Sequence, residues 1–190
     1  MTEQDRTVAE PALSGGPSHR TGEPPAIARA THQAGPLWAT LIATFLGIGN
    51  LSPGPGTWAS AATVMIWSGI AFELPPSLRI PAAIFLAVLI TLIGIPAATR
   101  VSRSFALKDP SFVVIDEVAG QLIALIGVPV AWKSFLVSFI LFRVFDIVKP
   151  PPVRQLERLP GGVGIVLDDV AAGILALFVM HLLLHFALLR

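Results

Sequence analysis

The chain has 190 residues, a formal net charge of +1 and no cysteine; 54% of its residues are hydrophobic and only 13% are charged, and its mean hydropathy is +0.75. Soluble domains carry about 25% charged residues, so this composition argues against a soluble globular domain and a disordered chain, and a near-zero net charge offers no field for a nucleic acid. The lack of cysteine excludes disulfides, zinc-thiolate sites and thiol nucleophiles. The fold class expected is all-α, one integral membrane helical bundle.

Residues 1–36 hold five prolines, four glycines and seven charged residues with little apolar periodicity. Such a stretch cannot bury enough apolar surface to offset its ordering entropy, and it reads as a disordered N-terminal tail. The remainder, 37–190, reads as a membrane-embedded domain. Its apolar segments are Leu37–Leu51, Thr57–Phe72, Ile80–Ala98, Phe112–Phe142 and Val170–Leu189. The fourth is interrupted by Gly127, Pro129 and Lys133, and it divides into helices near 113–128 and 132–147. The first is too short for a span and ends in Gly47, Gly49 and Pro53; it reads as a re-entrant or interfacial piece. The segments 57–72, 113–128 and 132–147 have 16 residues each, just under the usual minimum of about 17 for a span. About five spanning helices or fewer are therefore expected, plus the re-entrant segment.

Counting Lys and Arg along this zigzag sets the orientation. Arg100, Arg103, Lys108, Lys149, Arg154 and Arg158 fall on one face, with Arg143 close to it. Arg79, Lys133 and Arg190 fall on the other. The positive-inside bias makes the richer face cytoplasmic.

The acids follow the same division. Of eight acidic residues after the tail, six are Asp109, Asp116, Glu117, Asp146, Asp168 and Asp169. Asp116 and Glu117 open the third helix, Asp146 closes the fourth, and Asp168 with Asp169 opens the last. All of these ends lie on the cytoplasmic face. The segments Asp116-Glu117-Val118-Ala119-Gly120 and Asp168-Asp169-Val170-Ala171-Ala172-Gly173 also resemble each other. Each is an acid pair followed by small residues that let helices approach closely, which suggests two equivalent helix starts packed together.

A single acid at a helix start is as well explained by capping. Adjacent pairs on two helices, with a third acid on another, point further. Unpaired, these carboxylates would repel; a hard divalent cation resolves the conflict. The four histidines lie in the tail or near the C-terminus, so the donors are oxygens, which favours Mg²⁺ over Zn²⁺. Asp116, Glu117, Asp146, Asp168 and Asp169 are the candidate metal ligands and catalytic residues. Arg143 stands three residues before Asp146, on the same helix face, and Lys149 follows at the helix end; both suit phosphate binding. Gly56 with Thr57, and Gly161 with Gly162, belong to glycine-rich loops flanking the cluster, where backbone N–H groups could approach an anion. Neither loop fits the P-loop pattern. Arg100 is a weaker candidate for a second charged group of the substrate. The residues thus suggest a metal-dependent site for a lipid phosphate, with a phospholipid and the membrane as partners and no nucleic acid.

Four separated motifs carry a resemblance. Leu51-Ser-Pro-Gly-Pro-Gly-Thr57, Asp109-Pro110 through Gly120, Phe142-Arg-Val-Phe-Asp-Ile-Val-Lys-Pro150, and Gly161-Gly-Val-Gly-Ile165 through Gly173 are similar in order and spacing to the phosphatidylglycerophosphatase A family. Val166-Leu167 and Pro151-Pro152 depart slightly from its pattern. The resemblance implies Mg²⁺-dependent hydrolysis of phosphatidylglycerophosphate to phosphatidylglycerol and phosphate at the bacterial inner membrane. The motifs of histidine-based lipid phosphatases and of CDP-alcohol phosphotransferases are missing. The other class considered is a small cation transporter or channel with a carboxylate-lined mouth, which would place acids at several depths; here the helix centres carry none.

Overall fold

The computed structural model describes residues 35–151 and 153–186. Apart from Gly35 and Pro36, the tail expected over 1–36 lies outside them. The described residues fold into seven α-helices and one 3-10 turn, with no strand among them.

The short helix α1 (Leu37–Ala43) is followed by left-handed residues Phe45, Leu46 and Gly47 and the turn Ile48–Asn50. Seven residues rise about 10 Å, a third of a hydrocarbon core. The hook stays at one end of the bundle, where the Val114 N–H donates to Ala43 O at 2.8 Å. The sequence expectation that 37–51 makes no full span agrees with this shape.

The helices α2 (Pro55–Glu73) and α3 (Pro76–Phe105) both begin with proline in the first turn, where a missing N–H costs nothing. At 30 residues α3 runs past the apolar stretch 80–98 at both ends. The excess is polar; Arg100, Ser102, Arg103 and Ser104 carry it beyond the apolar belt. The region expected as one helix over 113–128 is instead α4 (Ile115–Ala124), ten residues long, followed by turns through Gly127 and Pro129. Gly127 adopts φ 71°, which an L-residue resists, and so supports the turn that follows the helix end at Ala124. About 15 Å of helix cannot cross a bilayer alone. Instead α4 is the buried centre of the bundle, with Ile115, Asp116, Val118, Ala119, Gly120, Gln121, Leu122 and Ala124 all buried.

The chain then turns back as α5 (Trp132–Val148), antiparallel to α4: Ser138 donates to Ala124 O at 2.8 Å, while Arg143 reaches Glu117. A single turn, α6 (Val153–Leu156), leads to α7 (Gly162–His185). This last helix starts earlier than the apolar pattern indicates. Asp168 and Asp169 therefore sit two turns inside it, not at its start, and Gly162 and Gly164 are helical, not loop.

α7 runs parallel to α4. A Cβ on Gly173 would overlap the Gly120 backbone, and one on Gly120 would overlap Phe142 and the Asp169 carbonyl. The small residues after each acid pair thus form a close helix contact, as their similarity suggested. The outer surface carries exposed Met65, Ile66, Phe85, Leu92, Ile140, Ile174 and Phe178. Soluble monomers rarely expose contiguous apolar surface on this scale; a lipid environment accounts for it. α3 and α7 are long and apolar enough to cross a membrane.

Candidate functional site

Four helix segments meet at one end of the bundle: the first turns of α2 and α4, the last turns of α5 and the second turn of α7. Asp116, Glu117 and Asp169 each offer a carboxylate oxygen, and these three atoms lie within 4.8 Å of one another. Asp116 and Asp169 are buried. Asp116 Oδ1, Glu117 Oε2 and Asp169 Oδ2 are buried without a hydrogen-bond partner. Buried acceptors left in that condition are costly, and a small hard cation would satisfy all three. The donor set fits such an ion; it holds no nitrogen or sulfur.

The other expected ligands sit around this group but are held by cations. Asp146 stands beside Asp169 and pairs with Arg143 at 2.6 Å. Arg143 also reaches Glu117 at 3.8 Å, and its Nε is buried without a partner. Asp168 accepts from Lys149 Nζ at 2.7 Å, and Glu157 stands 3.9 Å from the same nitrogen. Burial works against the Lys149 ammonium, but the Asp168 hydrogen bond and the charges of Asp168, Asp169 and Glu157 outweigh it and hold its pKa above the ordinary value. The Lys149 backbone is left-handed, φ 46°, at the end of α5 and directly before Pro150. Both features are unfavourable for a non-glycine residue, and the pair with Asp168 is what the conformation achieves.

Gly56, buried in the first turn of α2, lies flat against the cluster. A Cβ there would overlap Glu117 Oε1 and come within 3.2 Å of Arg143 Nη1. Only glycine lets α2 approach the acids this closely. Thr57 is exposed on the next position.

The remaining expected residues are not brought to the acids. The Gly162 N–H donates to Thr99 Oγ1 at 3.0 Å, and Gly161 also abuts Thr99, so this glycine pair joins α7 to α3. Arg100 lies over the Trp38 ring, 5.9 Å from its centroid. Two residues outside the expected set join the site, and a third lies one helical turn from it. Asp109 is close enough for the charges of Lys149, Glu157 and Asp146 to act on it. Glu157 faces Lys149. Gln121, one turn after Glu117, is wholly buried. The signal for Gln121 was its i+4 spacing from Glu117 inside an otherwise apolar run; Asp109 stands among the grouped acids and opens a motif with Pro110, and Glu157 had only its charge.

The comparisons with known proteins return relatives named as phosphatases of two different lipids. The family model described as PgpA, Phosphatidylglycerophosphatase A, matches residues 41–184. A Haemophilus influenzae phosphatidylglycerophosphatase A is 34% identical over 150 residues, covering 78% of this chain and 90% of that protein. An Escherichia coli phosphatidylglycerophosphatase A is 31% identical over 148 residues, covering 76% and 83%. A Bacteroides thetaiotaomicron protein, carried provisionally under the name phosphatidylinositol-3-phosphatase, is 41% identical over 137 residues, covering 70% and 86%. No solved structure matches.

Proposed function

The chain belongs to the phosphatidylglycerophosphatase A family, and from its acidic end we propose that it hydrolyses phosphatidylglycerophosphate to phosphatidylglycerol and inorganic phosphate. The reading extends to Mg²⁺ as cofactor, held by Asp116, Glu117 and Asp169, and to a site facing the cytoplasm from a multi-pass protein of the bacterial inner membrane. The observation that carries it is the meeting of three carboxylates, each with a buried unpartnered oxygen, within 4.8 Å.

Water supplies the new oxygen on phosphorus, the bond from phosphorus to the glycerol oxygen breaks, and that oxygen leaves protonated. The ion, when bound, supplies charge neutralisation and a more acidic water. Arg143, whose buried Nε–H has no partner among the described residues, would donate to a phosphate oxygen and stabilise the charge that grows there. Asp146 keeps the guanidinium in place through Nη1. Lys149, still partly exposed beside Asp168, offers a second positive charge at the rim. Gly56 lets the first turn of α2 close directly onto Glu117 and Arg143.

The cytoplasmic assignment rests on charge. Arg103, Lys108, Lys149, Arg154 and Arg158 gather at the acid end, while Arg79 and Lys133 begin α3 and α5 at the opposite end. A substrate confined to the membrane surface also explains why a phosphatase site is built at the ends of apolar helices.

Release of inorganic phosphate by the purified protein in mixed micelles tests the reading. Phosphatidylglycerophosphate is expected to be cleaved at least tenfold faster than phosphatidate (about 1.4 kcal/mol of discrimination) and faster than phosphatidylinositol 3-phosphate, the lipid named for the Bacteroides relative. EDTA is expected to abolish the release and Mg²⁺ to restore it. Undiminished release in EDTA, or preference for either other lipid, overturns the corresponding part of the proposal.

A further inference from the structure

Gln121 is wholly buried, and neither its amide oxygen nor its amide nitrogen has a hydrogen-bond partner. It lies on α4 four residues after Glu117, so both occupy one face of the helix. Helical side chains lean toward the N-terminus, which places the Gln121 side chain over the turn that begins at Glu117. On the flanking helices the buried hydroxyls of Ser60, Thr63 and Ser138 are spent on backbone carbonyls: Ser60 donates to Gly56 O at 2.9 Å, Thr63 to Ala59 O at 2.8 Å and Ser138 to Ala124 O at 2.8 Å.

A primary amide can donate two hydrogen bonds and accept two. Leaving all of them unmade in a closely packed interior destabilises the fold, and a leucine of similar size would avoid that cost. A polar group kept at such a position requires a partner that is not protein. A water bridging the Gln121 amide to the unpartnered oxygens of Glu117 or Asp116 satisfies both sets of orphaned atoms, and buried waters usually have two to four such partners. Chloride or another anion does not fit below three carboxylates.

We infer that Gln121 is a positioning residue of the phosphatase site: its amide holds a water on the inner side of the Asp116–Glu117–Asp169 group and so fixes the orientation of the carboxylates that grip the cation. The inference rests on the proposed hydrolase reading and deepens it. Outer partners of this kind typically contribute 10–100-fold to metal affinity or activity.

The test compares wild type with Gln121→Leu and Gln121→Met in detergent micelles, following tryptophan-fluorescence melting in EDTA and in Mg²⁺, together with kcat and KM for phosphatidylglycerophosphate. In EDTA at least one variant is expected to melt at or above the wild-type temperature, since a buried amide that needs a trapped water has been replaced by an apolar side chain of similar size. The Mg²⁺-induced rise in melting temperature is expected to shrink, kcat to fall about tenfold or more, and KM to stay within about twofold. A merely structural role would instead lower melting in EDTA for both variants, and that result overturns the inference. So does a variant with wild-type kcat and an unchanged Mg²⁺ shift. Asp169→Asn, run in parallel, separates the two levels. If wild type releases no phosphate, the hydrolase reading has failed; if Asp169→Asn stays fully active and responsive to Mg²⁺, the three-carboxylate group has failed as its site; if Asp169→Asn is inactive while both Gln121 variants behave as wild type, only the role of Gln121 has.

Discussion

The two acid pairs, Asp116-Glu117 and Asp168-Asp169, look alike in sequence and are followed by similar small residues, yet the bundle uses them differently. The first pair stands in the opening turn of α4, and both of its carboxylates join the three-oxygen group. The second stands two turns inside α7, where successive residues point about 100° apart. Asp169 turns inward to complete the group, and Asp168 turns aside to Lys149. The Gly120–Gly173 contact sets the two pairs at equal depth. Similar local sequence therefore supplies similar positions along the bundle, and the direction in which each side chain leaves its helix assigns the roles.

The largest effects expected from that contrast fall on Asp116 and Asp169. Asp116→Asn and Asp169→Asn should each lower kcat by about 10³-fold, the scale of losing a preorganised electrostatic group in a water-poor site, while membrane insertion of the protein stays unchanged. Equal retention of activity in both would dissolve the three-oxygen group as a functional unit.

A smaller effect is expected at Asp168. Asp168→Asn should cost about tenfold in activity, because it releases Lys149 without removing a carboxylate from the group. Lys149→Met leaves Asp168 buried without its partner, and the melting temperature should fall in consequence. In a double-mutant cycle the two changes should couple by at least about 0.5 kcal/mol, as contacting residues do. Additive effects would show that the 2.7 Å pair contributes nothing of its own. Should Asp168→Asn match Asp169→Asn in severity, the two acids share one role and the contrast between the pairs is lost.

The smallest effect is expected at Arg100. Its guanidinium lies over Trp38, away from the acids, so Arg100→Ala should change kcat and KM by less than about twofold. A cation–π contact at an exposed site is worth only about 0.5–1 kcal/mol, and any change should appear in the melting temperature. A several-fold rise in KM would instead return Arg100 to the substrate, where the sequence reading had placed it.

The sequence by itself determined which segments leave water and where the acids fall along them. Transfer free energy and residue spacing act locally, so the scarcity of charge, the helix-breaking Gly127–Pro129 and the clustering of carboxylates at one end were all legible. So was the close approach behind the two small-residue runs, because only missing side chains permit it. The length of α4 and the early start of α7 were not legible, since a buried short helix and a helical glycine are stabilised by neighbours distant in sequence. Nor was the division of five carboxylates into three that meet and two held by Arg143 and Lys149. That choice depends on how α2, α5 and α7 are rotated about α4, and rotation follows from packing of whole faces, which gives Gly56, Gln121 and Asp168 their neighbours only once the bundle has closed.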